Sequence, residues 1–366
     1  MNSEGKVGLF EAISFISVIT INKIFFTSVG LIISQTGTAA WYATLISCAV
    51  TLAVFMLVYL LLKRFPKKDL SEIFEAVAGK IIGKLLILII CAYCLFNAGS
   101  TLREFVEMIK VYNLPYTPTS LIIFLFLAVS LIISRFGFQT LTRICAIFFI
   151  PSMVGLGFII LLSSNSFNMN LLNPIGGHGI RTTITYGISR SSAYFEFILP
   201  AYAVNALNGY KNYKKAAVTG IIISGAIFSI TLLCYLSIYG YASGSENISG
   251  VFELSRSIYF NRYIQRLESV FLFIWVISSV LTTTASYYTG LLLYCKTFRI
   301  KDHKPLLLPL AILVYIIALL PESMQEVTQR NITILRQYSI FVMYLIPITV
   351  LFLAFILGKK GDKADA

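Results

Sequence analysis

Histidine is nearly absent from this sequence, charge is scarce, and acidic residues are fewer than basic ones. The two histidines, His178 in a Gly-Gly-His-Gly segment and His303 in a basic one, lie too far apart for a shared metal site or catalytic triad. No H-E-x-x-H, phosphate-binding loop or G-x-S-x-G pattern occurs. The expectation is therefore a protein with no catalytic residues, no metal and no cofactor, and not an enzyme. Charged residues make up 12% of the 366 positions and hydrophobic ones 57%. That is too little polar surface to cover a soluble globule. The longest segments without a spanning pattern, 164–182 and 241–267, are too short for an independent core. Cysteine is missing from the connecting segments that could hold a disulfide. Cys48, Cys91, Cys94, Cys145 and Cys234 fall in apolar runs and Cys295 at the end of one. The C-x-x-C spacing of Cys91 and Cys94 has no second pair and no nearby histidine, so it reads as small packing residues.

What the sequence has is apolar runs of membrane-crossing length. Ten are expected, at about 10–33, 39–62, 82–102, 119–134, 144–163, 183–206, 217–240, 268–294, 305–321 and 337–358. The fold class is thus an all-α polytopic membrane protein, a single transmembrane domain in a lipid bilayer. The first run is long, carries Lys23 and lacks a small-residue cleavage pattern, so it does not read as a signal peptide. Most of the 29 basic residues fall on one side if both ends of the chain are cytoplasmic, among them Lys63, Arg64, Lys67, Lys68, Lys211, Lys214, Lys215, Lys301 and Lys304. The net charge of +13 then belongs to a face beside anionic lipid and calls for no nucleic-acid partner.

Two charges are stranded inside apolar runs: Lys23 in the first and Glu196 in the sixth. An ionisable group at such depth costs at least about 2.5 kcal/mol on insertion scales and usually faces a protein interior or cavity. Ser189, Ser191 and Ser192 precede Glu196 and Pro200 follows it, a pattern that predicts a discontinuous helix. On the third span, a rise of about 1.5 Å per residue from Lys84 places Arg103 and Glu107 at the outer surface, one turn apart. Leu114-Pro115-Tyr116-Thr117-Pro118 ends that helix, because proline disfavours helix in the preceding residue. Asp69 with Glu72 predicts a capping box opening an amphipathic helix through Leu70, Ile73, Phe74 and Val77. Residues 245–266 carry a looser stripe, Val251, Leu254, Ile258 and Ile264, expected as a surface helix over an outward-facing cavity.

Taken in order, Leu102-Arg103-x-x-x-Glu107 and Leu114-Pro115-x-Thr117-Pro118 resemble the third-span end of the spore germination permeases, the B-type subunits of endospore germinant receptors. Arg266-x-Glu268 with Trp275, Ala40-Trp41 and Phe195-Glu196 extend the resemblance along the full length. It implies a fold similar to the amino acid-polyamine-organocation (APC) transporters. That fold has two inverted five-helix repeats, here about 8–163 and 183–358 before a short tail at 359–366, with spans 1 and 6 broken near the midplane. Lys23 and Glu196 would then sit in corresponding helices. Where many members carry a glycine-bearing motif followed by Leu-Pro, this chain has Asn22-Lys23-Ile24 and then Thr27-Ser28-Val29-Gly30. Lys23 would supply a fixed cation where related transporters bind a sodium ion or a proton.

The same resemblance implies a job. The B-type subunit binds a small-molecule germinant, often an L-amino acid, and works with an A-type membrane subunit and a C-type lipoprotein in the spore inner membrane. Both termini would face the spore core. A proton-coupled amino acid transporter is the alternative. An amino acid needs donors for its carboxylate, which a broken helix N-terminus with Thr27 and Ser28 offers, and acceptors for its ammonium, such as freed carbonyls or Glu196. By the analogy, Tyr93 and Asn97 on span 3, Ser192 on span 6 and Thr282 on span 8 complete the ligand site. Arg103, Glu107, Pro115, Pro118, Glu268 and Trp275 are expected in structural or gating roles.

Overall fold

The computed structural model describes residues 6–258 and 268–361. Span 1 is α1 (Leu9–Ile21), a 3-10 turn at Asn22–Phe25, and α2 (Ser28–Thr36). Span 2 is α3 (Ala40–Arg64), and the expected capping box opens α4 (Leu70–Ala78), where the Asp69 side chain accepts from the Ser71 and Glu72 amides. Spans 3 to 5 are α5 (Lys80–Tyr112), α6 (Thr119–Arg135) and α7 (Phe138–Ser163). Span 6 is α8 (Ile180–Arg190) running into a 3-10 segment, Ser191–Leu207. There follow α9 (Tyr210–Glu246), the short α10 (Gly250–Ser257), α11 (Glu268–Phe298), α12 (Lys304–Leu319) and a last helix, Met324–Ile356. The ten expected spans are all present.

Residues Ser28–Arg64 form one nearly continuous apolar helical stretch, yet it is two spans. The chain turns back at Gly37, whose φ of 63° suits glycine, and a Cβ there would lie 3.0 Å from the His178 ring. The end of α2 meets the 173–179 loop through Thr36 O and the His178 amide, whereas α3 ends beside Ala354 and Lys359, which accept from Arg64. Both ends of the described chain therefore lie on one face of the bundle, called here the terminal face. Val7 N bonds Ala206 O there, and Gly361 N bonds Arg64 O.

The packing is that of a membrane bundle. Helix α5 packs along α11, and α9 along α1 and α3. Large apolar side chains on α6 and α7, such as Phe124, Ile132, Ile147, Phe158 and Leu161, face outward, a surface that hydrocarbon supports and water does not. Small residues set the closest approaches, as expected where association relies on fit rather than on a hydrophobic drive. At Gly83 an added Cβ would come 2.6 Å from Glu75 Cα and 2.7 Å from Phe74 O, backbone atoms that hold α4 against α5.

Two boundaries differ from the sequence reading, and both have a physical reason. Helix α5 ends at Tyr112, just before the Leu114-Pro115 stop expected for it, but the membrane exit inferred at Arg103 is no surface, because Arg103 and Glu104 are buried there. The last helix begins at Met324 rather than near 337; its first turns are polar but capped, with Ser323 Oγ accepting from the Glu326 amide, and include π-helical turns at Val327–Ile332 and Ile340–Leu345. Gly83→Ala is expected to lower the thermal unfolding midpoint of the detergent-solubilised protein, the overpacking costing about 1–3 kcal/mol. Gly157→Ala, where a Cβ meets nothing within 4 Å, should leave the midpoint unchanged or slightly raised.

Candidate functional site

A broken helix in hydrocarbon exposes backbone groups that must find partners inside the protein. In span 1, Phe26 is extended and the Phe25 carbonyl accepts from Ser249 Oγ at 2.9 Å. The Thr27 amide, at the start of α2, donates to Glu104 Oε1 at 3.4 Å, and the Thr27 hydroxyl donates to the same oxygen at 2.6 Å. In span 6, Ser191 O accepts from Tyr344 OH at 2.5 Å and from Thr51 Oγ1 at 3.1 Å, and Phe197 O accepts from Tyr213 OH at 2.7 Å. The Ala193 carbonyl accepts from Lys23 Nζ, which also makes an ion pair with Glu196. One side chain thus ties the break in span 1 to the break in span 6. The Glu196 side chain is 1% exposed and that of Lys23 20%, so the lysine alone looks into open space. Its ammonium sits 4.5 Å from the Phe195 ring centre, and Tyr93 meets the same ring edge to face at 5.5 Å.

That open space is a cavity of about 50 Å³, measured by where the centre of a water-sized sphere fits. At roughly 10–15 Å³ for each water centre, it holds a few waters or a solute of a few non-hydrogen atoms. Span 1 lines it with Lys23, Phe26 and Ser28, and span 3 with Tyr93, Asn97, Thr101 and Glu104. Span 6 adds Ser192, Ala193 and Phe195, and the last helix Ile332, Leu335 and Ser339.

The structure brings together most of the residues singled out in the sequence. Lys23, Ser28, Tyr93, Asn97 and Ser192 line the cavity, and Glu196 lies behind Lys23. Thr27 and Thr282 do not line it. Thr27 is engaged by Glu104, and the Thr282 hydroxyl bonds Ser278 O at 2.8 Å on its own helix, the usual local satisfaction of a buried threonine. Span 8 reaches the cavity indirectly, one route being Ser286 Oγ, which accepts from Asn97 Nδ2 at 2.8 Å. The last helix takes the place expected of it.

Glu104 is the main omission of the sequence reading, which placed its neighbours Arg103 and Glu107 on the outer surface and gave it no role. It is 4% exposed. Arg103 and Glu107 do pair, at 2.9 Å, but with side chains only 6% and 14% exposed, and Arg103 Nη1 also donates to Ala318 O at the end of α12. The inference of a surface ion pair is therefore corrected to a buried one that joins α5 to α12. Pro115 and Pro118 are exposed in the α5–α6 turn, where Pro118 precedes the first residue of α6. Trp275 is fully buried and packs edge-on against Phe26 and Phe105, backing the cavity wall. Glu268 is the first residue of α11, while Arg262, Ile264 and Arg266 lie outside the described residues.

Contacts between elements lie over the cavity on both faces of the bundle. On the face opposite the termini, α10 sits on the span 1 break, with Val251, Phe252 and Leu254 buried, Ser249 on Phe25 O, and Tyr112 OH accepting from the Ser249 amide at 3.2 Å. On the terminal face, Lys296 Nζ at the end of α11 donates to Asp69 Oδ2 at 2.6 Å and to Tyr202 O at 2.5 Å. This joins α11, the α4 cap and the span 6 segment. Burial, with Asp69 next to it, pushes the Glu72 carboxyl in α4 above the ordinary glutamate range.

Comparison with known proteins places the chain. A family model described as "Spore germination protein" matches residues 6–327. Spore germination protein B2 of Bacillus subtilis (strain 168) is 23% identical over 333 residues, 90% of each chain, and Spore germination protein KB of the same organism is 22% identical over 291 residues, 78% of each. Among solved structures, Mhp1, a nucleobase-cation-symport-1 family transporter in a closed conformation with bromovinylhydantoin bound, superposes with a TM-score of 0.67 at 13% identity, over 94% of this chain and 78% of that one. A Na+-coupled sialic acid symporter in a substrate-bound outward-open state gives 0.64 at 12% identity, over 94% and 79%. These structural likenesses carry the fold.

The terminal-face tie makes a testable statement. Lys296→Met leaves the Asp69 side chain, 5% exposed, without its cation and is expected to cost about 3 kcal/mol, read as a lower thermal midpoint. Arg330→Met, which removes a pair with Glu326 whose arginine is 70% exposed, should cost under about 1 kcal/mol.

Proposed function

This chain belongs to the spore germination protein family, an integral membrane protein on a transporter fold, and on that premise we propose that it is the germinant-binding subunit of a spore germination receptor. The ligand in this reading is a small polar nutrient of about amino-acid size, held among spans 1, 3 and 6 and the last helix. The observation that carries it is the Lys23 ammonium, bonded to both Glu196 and the Ala193 carbonyl and facing the cavity. A solute bound there touches a side chain that joins the breaks of the two spans, so occupancy and the relative position of those spans are coupled. The proposal includes the spore inner membrane as location, the terminal face toward the spore core, and A-type and C-type subunits as partners that receive the shift. It involves no catalysis and no cofactor.

A second reading, a proton-coupled amino acid transporter, is favoured by one observation: the structural neighbours described above are transporters. Under it, Lys23 or Glu196 changes protonation in each cycle. Reconstituted vesicles separate the two, since concentrative uptake by this chain alone supports transport and ligand binding without flux supports sensing.

Lys23→Met and Glu196→Gln are each expected to shift the germinant dose-response of spores at least tenfold, with receptor abundance checked by immunoblot. Either change leaves a buried charge without its partner, so the double variant should recover more protein than either single one. It should not recover the response. A normal dose-response in the double variant would remove the pair from ligand sensing.

A further inference from the structure

Arg190 is a buried cation that the Lys23 cavity leaves unused. It ends α8, which runs in from the face opposite the termini, so at about 1.5 Å per residue it lies roughly 15 Å deep, near the middle of the hydrocarbon. The residue is 8% exposed, on the buried face of α8 with Thr183 and Gly187. Among the described residues no carboxylate, carbonyl or ring pairs with its guanidinium, and Glu196, the nearest acid along the chain, is bonded to Lys23. An arginine keeps its proton, so it cannot escape burial by becoming neutral as a lysine can. The C-terminal field of α8 favours a cation there, but it offsets only a small part of the cost of an unpaired buried ion.

Four residues on, Tyr194 repeats the pattern. Its hydroxyl is buried without a hydrogen-bond partner, and the Arg190 charge reaches it. Its ring packs on Phe228 of α9 at 5.7 Å between centres, and Cys48 of α3 lies near the hydroxyl. Both groups can donate, and both lack an acceptor. A water would accept from them but leave the charge uncancelled, whereas an anion does both. The helices around them are close. At Gly187 an added Cβ would come 2.9 Å from the Ile46 side chain and 3.0 Å from Ala43 O, and at Gly225 2.6 Å from Cys48 Sγ, so α3 is held against both α8 and α9. Such spacing admits a single small ion rather than a lipid headgroup.

We propose that Arg190 and the Tyr194 hydroxyl, between α3, span 6 and α9, hold a small monovalent anion, chloride or a short carboxylate. The next residue, Ser191, gives its carbonyl to Tyr344 and Thr51, and Ala193 gives its own to Lys23, so the anion braces the start of the span 6 break. Arg190 does not line the Lys23 cavity, so this site is a separate one and stands whether or not that cavity takes a germinant.

The test is thermal unfolding of the purified full-length protein at fixed ionic strength, with sodium chloride or sodium acetate replacing sodium gluconate, whose anion is too bulky for the gap. Wild type should show a saturable rise of at least about 2 °C in chloride, in acetate or in both, and the salt that acts names the occupant. Arg190→Met should lose that rise. In gluconate alone it should melt above wild type, because it removes a buried charge that has no counterion. Tyr194→Phe keeps the charge and loses one donor, so its half-saturating salt concentration should increase at least about threefold. The assignment is overturned if wild type melts at one temperature in all three salts, or if Arg190→Met keeps the rise, which is then a general salt effect. Should Arg190→Met fail to fold, an unchanged half-saturating concentration in Tyr194→Phe overturns it.

Discussion

The structure depends on one constraint: spans 1 and 6 are broken inside a membrane, and the backbone groups they expose have no water to bond. Each such group costs several kcal/mol if left alone in hydrocarbon. The chain answers with side chains from every neighbouring element. Ser249 takes Phe25 O, Glu104 takes the Thr27 amide, Tyr344 and Thr51 take Ser191 O, Tyr213 takes Phe197 O, Lys23 takes Ala193 O and Lys296 takes Tyr202 O. Apart from Lys23, which ties one break to the other, these partners come from α3, α5, α9, the turn before α10, α11 and the last helix. The breaks are therefore held from the outside in, and any movement of the broken spans exchanges some of these bonds for others.

Two of the ties come from ion-paired lysines, and charge decides their consequences. A neutral hydrogen bond contributes about 1 kcal/mol net and can be lost singly without unfolding the site. Lys23 with Glu196, and Lys296 with Asp69, behave differently, because removing one partner leaves a buried ion worth about 3–5 kcal/mol of destabilisation. In the proposed reading the same asymmetry suits Lys23 to sensing better than a hydroxyl. It bridges the two breaks and faces the cavity with a fifth of its side chain exposed, so a solute bound there would change the environment of a charge.

Much of this was legible in the sequence, and the rest was hidden for identifiable reasons. The ten spans follow from apolar runs alone, since the bilayer sets their length. Lys23 and Glu196 stood out because charge inside an apolar run is rare, and the Asp69 and Glu72 cap was visible from its spacing. Glu104 was not visible as a site residue, because it sits beside Arg103, Glu107 and Lys110, and a cluster of charges at the end of a hydrophobic run looks like an interface. Only the continuation of α5 to Tyr112, under cover of α10 and α12, turns that cluster inward. The start of the last helix was hidden in the same way, its polar Gln325, Glu326 and Arg330 masking a helix that Ser323 caps after Pro321. Thr282 misled in the opposite direction: a hydroxyl in an apolar span suggests a pocket, but Thr282 and Thr284 both bond their own helix.

The magnitudes also limit how such a site can signal. Moving a two-state protein from 1:99 to 99:1 takes about 5.5 kcal/mol of differential binding. A small solute of micromolar to millimolar affinity has only about 4–8 kcal/mol in all, and part of that is spent equally on both states. Two sets of contacts lie over the cavity, α10 through Ser249 and the terminal face through Lys296 and Asp69, and the second is held by an ion pair. Opening both at once exceeds what such a ligand supplies. Opening the α10 side costs neutral hydrogen bonds and apolar contact rather than the separation of the Lys296–Asp69 pair. In the proposed reading the terminal face would therefore stay shut while a solute enters past α10, leaving ligand energy to act on the Lys23 link between spans 1 and 6.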